Sequence, residues 1–362
     1  MNMKNQLIFL AGLFWITPIQ LMAQDKEHNG TMGPGLKLVS AADPKDRNNN
    51  FYDNADTYEL PGGDIMVGGE IENPGPADLT GLEKHSVIVK EALLGDDGKN
   101  HFTGAYRFDG YSLFDILTSR VLKKKNKEEF SPVIDLYVVI ENDKGEKVVL
   151  SWGEIFYPNN IHNCIIATEV TRIVPGKSGD LWPLPAERKL VIGNDLLGER
   201  NISNPVRITV KTPSRSIPVN RDLKPLFSPK ITITTGTMAT AVIDQLNQKY
   251  MVTYNTIFYG RGRGIHSTTP FTGAMLKDLL ADHIHPGHAN LRNSLLLIVG
   301  LDGYRAVYSL SEVMNRSDQQ EVLLVPCEGQ EDGGKFRIFP ACDFFSDRAV
   351  KAVSEISVIQ AE

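Results

Sequence analysis

One pattern occurs twice in this chain and limits what it can fold into more than any other feature. Phe108-x-Gly110-x-x-Leu113-x-Asp115-x-Leu117 is answered by Phe271-x-Gly273-x-x-Leu276-x-Asp278-x-Leu280, with matching spacing throughout. A long-period repeat means that one structural unit is built twice. Leu113, Ile116, Leu117 and Val121 fall on one face of a helix, as do Met275, Leu276, Leu279 and Leu280. The glycine before each helix suits a tight backbone entry. All these positions read as packing rather than chemistry.

Each copy continues in step. An apolar strand, a turn and a second strand follow: Val133 to Ile140 with the turn Asn142-Asp-Lys-Gly145, and Leu295 to Leu301 with Asp302-Gly303. These are hairpin signals. Ser151-Trp-Gly-Glu154 and Ser309-Leu-Ser-Glu312 carry capping-box spacing and open short helices. The copies close on Asp195-x4-Arg200-x9-Val210 and Asp343-x4-Arg348-x9-Val358, each Asp preceded by a short strand. The Asp and Arg either act as a functional pair or tie a loop between strands, and we read them as ties because most such pairs are structural. The openings, Ile65-Met-Val67 and Ile231-Thr-Ile233, align more weakly. Related α+β domains are therefore expected at 60–212 and 229–362, joined by a Pro-rich linker at 213–228 and preceded by a polar, irregular leader at 24–59.

Composition narrows the class. The chain has 362 residues, with 38 Lys and Arg against 44 Asp and Glu, a net charge of −6. A mildly acidic chain without a long basic run is a poor partner for nucleic acid. Residues 1–23 hold a basic start at Lys4, an apolar run Leu7 to Ile16 and a small residue at Ala23. That is the form of a secretory signal, too short to span a bilayer comfortably. Cleavage near Ala23 removes one Lys and leaves −6 − 1 = −7. The expectation is an exported, periplasmic bacterial protein with no membrane span after cleavage.

The opening phrase Gly69-Glu-Ile-Glu-Asn-Pro74, the Phe-x-Gly-x-x-Leu-x-Asp-x-Leu helix, the Asp-Gly-Tyr304 hairpin and the closing strand–Asp–Arg–strand unit, found in order and largely twice, carry a resemblance. The chain resembles the molybdopterin-binding oxidoreductase domain of the sulfite-oxidase type, in two tandem copies. The resemblance implies an α+β fold with mixed sheets and short helices. It also implies a molybdopterin cofactor and oxo-transfer chemistry, in which one Cys thiolate binds the metal. The corresponding windows, Val87 to His101 and Val252 to Thr268, contain no Cys. The functional expectation is thus a molybdopterin-dependent-oxidoreductase-like protein with an anionic, pterin or phosphate-bearing, ligand in the second domain. The alternative is a catalytically degenerate binding or structural module without cofactor.

The residues chosen for that ligand are Arg261, Arg263, His266 and Thr268, in Gly260-Arg-Gly-Arg-Gly264-Ile-His-Ser-Thr-Thr269. Glycines let backbone N–H groups turn to an anion and Arg adds bidentate donors; a solvated hairpin tip is the other reading. His283-x-His285-x-x-His288 either approaches zinc spacing or decorates a helix end, and it is not assigned as a metal site. Cys327 and Cys342 either form a disulfide or stay as separate thiols.

Overall fold

The computed structural model describes residues 35–42, 51–327 and 333–362, so the expected signal segment at 1–23 lies outside the described residues. The described chain forms one compact unit. In the first copy Met66–Gly69 lies parallel to Pro205–Lys211, followed by antiparallel Tyr137–Asn142 and Lys147–Ser151. In the second, Ile231–Thr235 lies parallel to Val353–Gln360, followed in the same order by Ser294–Gly300 and Arg305–Ser309. Both predicted hairpins form here.

The repeated pattern sits in the other sheet of each copy. His85–Leu94, Asn100–Ser112, Cys164–Arg172 and Lys189–Ile192 run side by side. Met251–Tyr254, Phe271–Met275, Val322–Pro326 and Phe336–Pro340 repeat that order. Part of the polar leader extends the first of these sheets, through Thr57–Glu59 and Leu38–Ser40.

The α+β architecture of tandem sulfite-oxidase-type domains is therefore corrected. The described residues are mostly β, 41% strand and 13% helix, with four sheets arranged as a four-bladed β-propeller and a separate two-stranded hairpin, Phe258–Gly260 with Gly264–Ser267. The reason lies in helix length. Helices do form at both repeated patterns, Leu113–Thr118 and Leu276–Ala281, but each has only 6 residues. The capped helices Trp152–Phe156 and Leu310–Met314 have 5 each. Such pieces do not stand alone and are held by the sheets they pack on. Val121, expected on a buried helix face, lies beyond the helix end and is 53% exposed. The oxidoreductase expectation that rested on the α+β fold loses its support with it.

The apolar interior runs through both copies: Ile65, Val138, Leu150 and Ile208 share one cluster with Ile231, Ile298, Tyr308 and Ile356. Among the described residues no helix is long and apolar enough to cross a membrane.

The repeated glycine has a packing cause. A Cβ at Gly110 would stand 2.1 Å from the Ile166 carbonyl oxygen, and one at Gly273 would stand 2.7 Å from that of Leu324. The strand register slips beside Gly110, so the neighbouring backbone comes unusually close. Gly110→Ala is expected to cost about 1–3 kcal/mol, seen as a lower urea midpoint at unchanged slope. An unchanged midpoint would contradict this packing.

Candidate functional site

The two Asp–Arg pairs come together at the centre of the molecule. Arg200 holds Asp195 and Arg348 holds Asp343, each at 2.7 Å, with both guanidiniums buried. The pairs do tie their loops, and they also cross between copies. Arg200 binds Glu154 of its own copy at 2.9 Å and donates to Ser309 Oγ of the other at 2.9 Å. Arg348 binds Glu312 at 2.5 Å and donates to Ser151 Oγ at 3.1 Å. The N-capping serines of the two short helices thus accept bonds from the opposite copy.

Four carboxyl groups surround two guanidiniums here. Burial pushes the Glu312 carboxyl up to about 7 despite Arg348, and Glu154 adds repulsion. Burial likewise raises Asp195, against the pull of Arg200. A space beside the cluster, between Cys164, Cys342 and Arg316, is about 10 Å³, roughly the minimum for one water. Both guanidiniums here are already engaged by carboxylates, so the centre reads as a tie between the two copies.

A cavity of about 880 Å³ opens on the second copy. Tyr254, Tyr259 and Phe344 supply aromatic surface, while Asn159, Asn255 and Gln320 supply amides. Asn159 comes from the first copy, carried in by a backbone bond from its N–H to the Cys342 carbonyl at 3.2 Å. The Tyr259 and Phe344 ring centres are 5.6 Å apart, which joins the hairpin to the facing loop. The Tyr254 hydroxyl donates to the Gln319 carbonyl at 3.2 Å, and Gln319 adopts a left-handed φ of 58°. The one charged residue of the lining is Asp343, already locked to Arg348.

The residues chosen from sequence stand beside this cavity and do not line it. Arg261 pairs with Asp347, and its guanidinium lies 6.0 Å from the ring centres of both Tyr157 and Phe345. Arg263, His266 and Thr268 are exposed, with the His266 ring 5.5 Å from Phe258. Their neighbours Tyr259 and Ile265 are the hairpin residues that reach the lining. The loop chosen from sequence thus stands next to the cavity, and its residues Tyr259 and Ile265, not the four chosen ones, are in the lining.

The cysteines do not fit a molybdenum–pterin group. All three are free, and none lines the cavity. Burial pushes the thiols of Cys164, Cys327 and Cys342 up, away from the thiolate that a metal needs. His288 Nδ1 lies 2.8 Å from Glu199 Oε2 of the first copy, and His283, His285 and His288 do not form a group with ligand atoms within 4.8 Å among the described residues.

A different cluster forms in the first copy. His85 Nε2 is 3.0 Å and His162 Nε2 3.8 Å from Asp115 Oδ2, and the two imidazoles stack with centres 3.7 Å apart. Ser112 Oγ donates to the same carboxylate oxygen at 2.6 Å. Burial, then the neighbouring His85, lowers the pKa of His162. Among the described residues this is the one group of three His, Cys, Asp or Glu side chains whose donor atoms all lie within 4.8 Å. The sequence reading took Asp115 as packing and missed both histidines, because strand pairing is what brings them together. No family model and no curated protein matches the chain.

Proposed function

We propose that this chain is an exported, non-catalytic binding protein whose second copy takes a small, uncharged, polyhydroxylated ligand, a sugar ring being the clearest case. The observation that carries the reading is the cavity lining, aromatic and amide-bearing with its one carboxylate already engaged. Flat apolar ring faces suit Tyr259 and Phe344. Amides that both donate and accept suit hydroxyl groups. About 880 Å³ is within the ordinary range for a ligand site. The apolar run at Leu7 to Ile16 supports export.

Titration of the whole chain with neutral mono- and disaccharides tests this. Tyr259→Ala with Phe344→Ala is expected to weaken binding about tenfold or more, on the basis of about 1.4 kcal/mol lost. Both side chains are exposed, so the fold should hold. Equal affinity in the double variant would sink the reading.

A further inference from the structure

We propose that His85, Asp115 and His162 form a site for one divalent transition-metal ion of the zinc class, with part of its coordination sphere open to solvent. The inference stands apart from the saccharide reading and rests on different residues.

The donor set is the first support. Two imidazole nitrogens and one carboxylate are what zinc and its first-row neighbours take when positions are left open, whereas magnesium and calcium prefer oxygen ligands. The geometry is the second. Ligand atoms around a tetrahedral ion with bonds of about 2.0–2.1 Å stand about 3.3 Å from one another. The two histidine–carboxylate separations, 3.0 and 3.8 Å, bracket that value. Each imidazole would bind through Nε2 with its proton on Nδ1. Both Nε2 atoms lie within 4 Å of one carboxylate oxygen, although a simple hydrogen bond needs only one ring; the rings stack 15° from parallel, so one of them must turn for both lone pairs to meet a single ion. Side-chain exposures of 21%, 24% and 35% leave a path to solvent.

Ser112 completes the arrangement. Its hydroxyl donates to Asp115 at 2.6 Å and accepts from the Asp115 backbone N–H at 3.0 Å, holding the carboxylate against the sheet. Groups of this kind orient metal ligands.

The repeat supplies an internal comparison. His85 pairs with Gly110, and Val252 pairs with Gly273. Ser112 pairs with Ile165, and Met275 pairs with Leu323. With Gly110 matching Gly273, these registers place Val252 where His85 stands, Met275 where Ser112 stands, Asp278 at Asp115 and Gln320 at His162. The fold therefore needs none of the three polar groups that differ. The same place in the second copy, through Gln320, lines the neutral cavity. One location in the repeat has been built into two different sites.

The test uses the full, untagged chain. Calorimetric titration with Zn²⁺ is expected to show one ion per chain, without competition from Mg²⁺ or Ca²⁺. Co²⁺ in its place should give the visible absorption of an imidazole-ligated ion. His85→Val with His162→Gln installs the second copy's residues and should weaken Zn²⁺ binding at least a hundredfold with little change in the urea midpoint. Ser112→Ala should weaken it about tenfold or more. If the double variant does not fold, Asp115→Asn replaces it and should abolish the Co²⁺ spectrum. Absence of stoichiometric Zn²⁺ binding overturns the proposal. So does undiminished binding in the folded variants, which would place the ion at other side chains.

Discussion

Arg348→Met is expected to destabilise the protein by about 3–5 kcal/mol or more, because it leaves buried carboxylates without their partner. Arg348 is buried and binds Asp343 through Nε at 2.8 Å and Nη2 at 2.7 Å, Glu312 at 2.5 Å and Ser151 Oγ at 3.1 Å. Its guanidinium also lies 4.3 Å from the Tyr308 ring centre. Methionine keeps some of the packing and none of the charge. Arg200→Met should behave alike, since its bonds to Asp195, Glu154 and Ser309 repeat the same design. The exposed pair Arg215–Glu355 is the control: its removal should cost under about 1 kcal/mol. Urea unfolding followed by tryptophan fluorescence and by circular dichroism reads all three. A loss below 1 kcal/mol for Arg348→Met would show that the central cluster is dispensable.

The second large effect is on pH dependence. The folded pKa of Glu312 is pushed up to about 7, first by burial, with Arg348 opposing and Glu154 adding repulsion. The fold therefore favours the neutral carboxyl over the charged one. Stability from this group is fully present below its ordinary pKa of 4.5 and is lost as pH rises through about 7. At about 1.4 kcal/mol per unit, the loss approaches about 3 kcal/mol by pH 8. Glu312→Gln imitates the neutral form: its amide can donate to Ser151 Oγ and accept from Arg348. The wild type should weaken between pH 5 and pH 8, and the variant should stay flatter and become the more stable of the two at pH 8. A wild type that strengthens over that window would reverse the sign and refute the assignment.

What sequence could show was what spacing encodes. The repeated Phe-x-Gly pattern, both hairpin turns, both capping boxes and both Asp-x4-Arg loops are local, and each is found where the spacing places it. The fold class was misjudged because apolar periodicity marks a helix face without fixing its length, and these helices stop after 6 residues. The exchange of Arg200 and Arg348 between Ser309 and Ser151 is a tertiary fact. Likewise His85 and His162 meet only because the strands beginning at His85 and Cys164 flank Asn100–Ser112. The cavity was approached through the conspicuous arginines at 261 and 263, while the neighbouring Tyr259 and Ile265 form its wall.

The decisive measurement is calorimetric titration of the whole chain with a neutral disaccharide and with a phosphate-bearing sugar, each at low and at high salt. Binding of the neutral sugar, indifferent to salt and lost with Tyr259→Ala and Phe344→Ala, is the expected result. Binding of the phosphorylated sugar alone, falling steeply with salt and abolished by Arg263→Ala, would contradict it and return the site to the arginine loop.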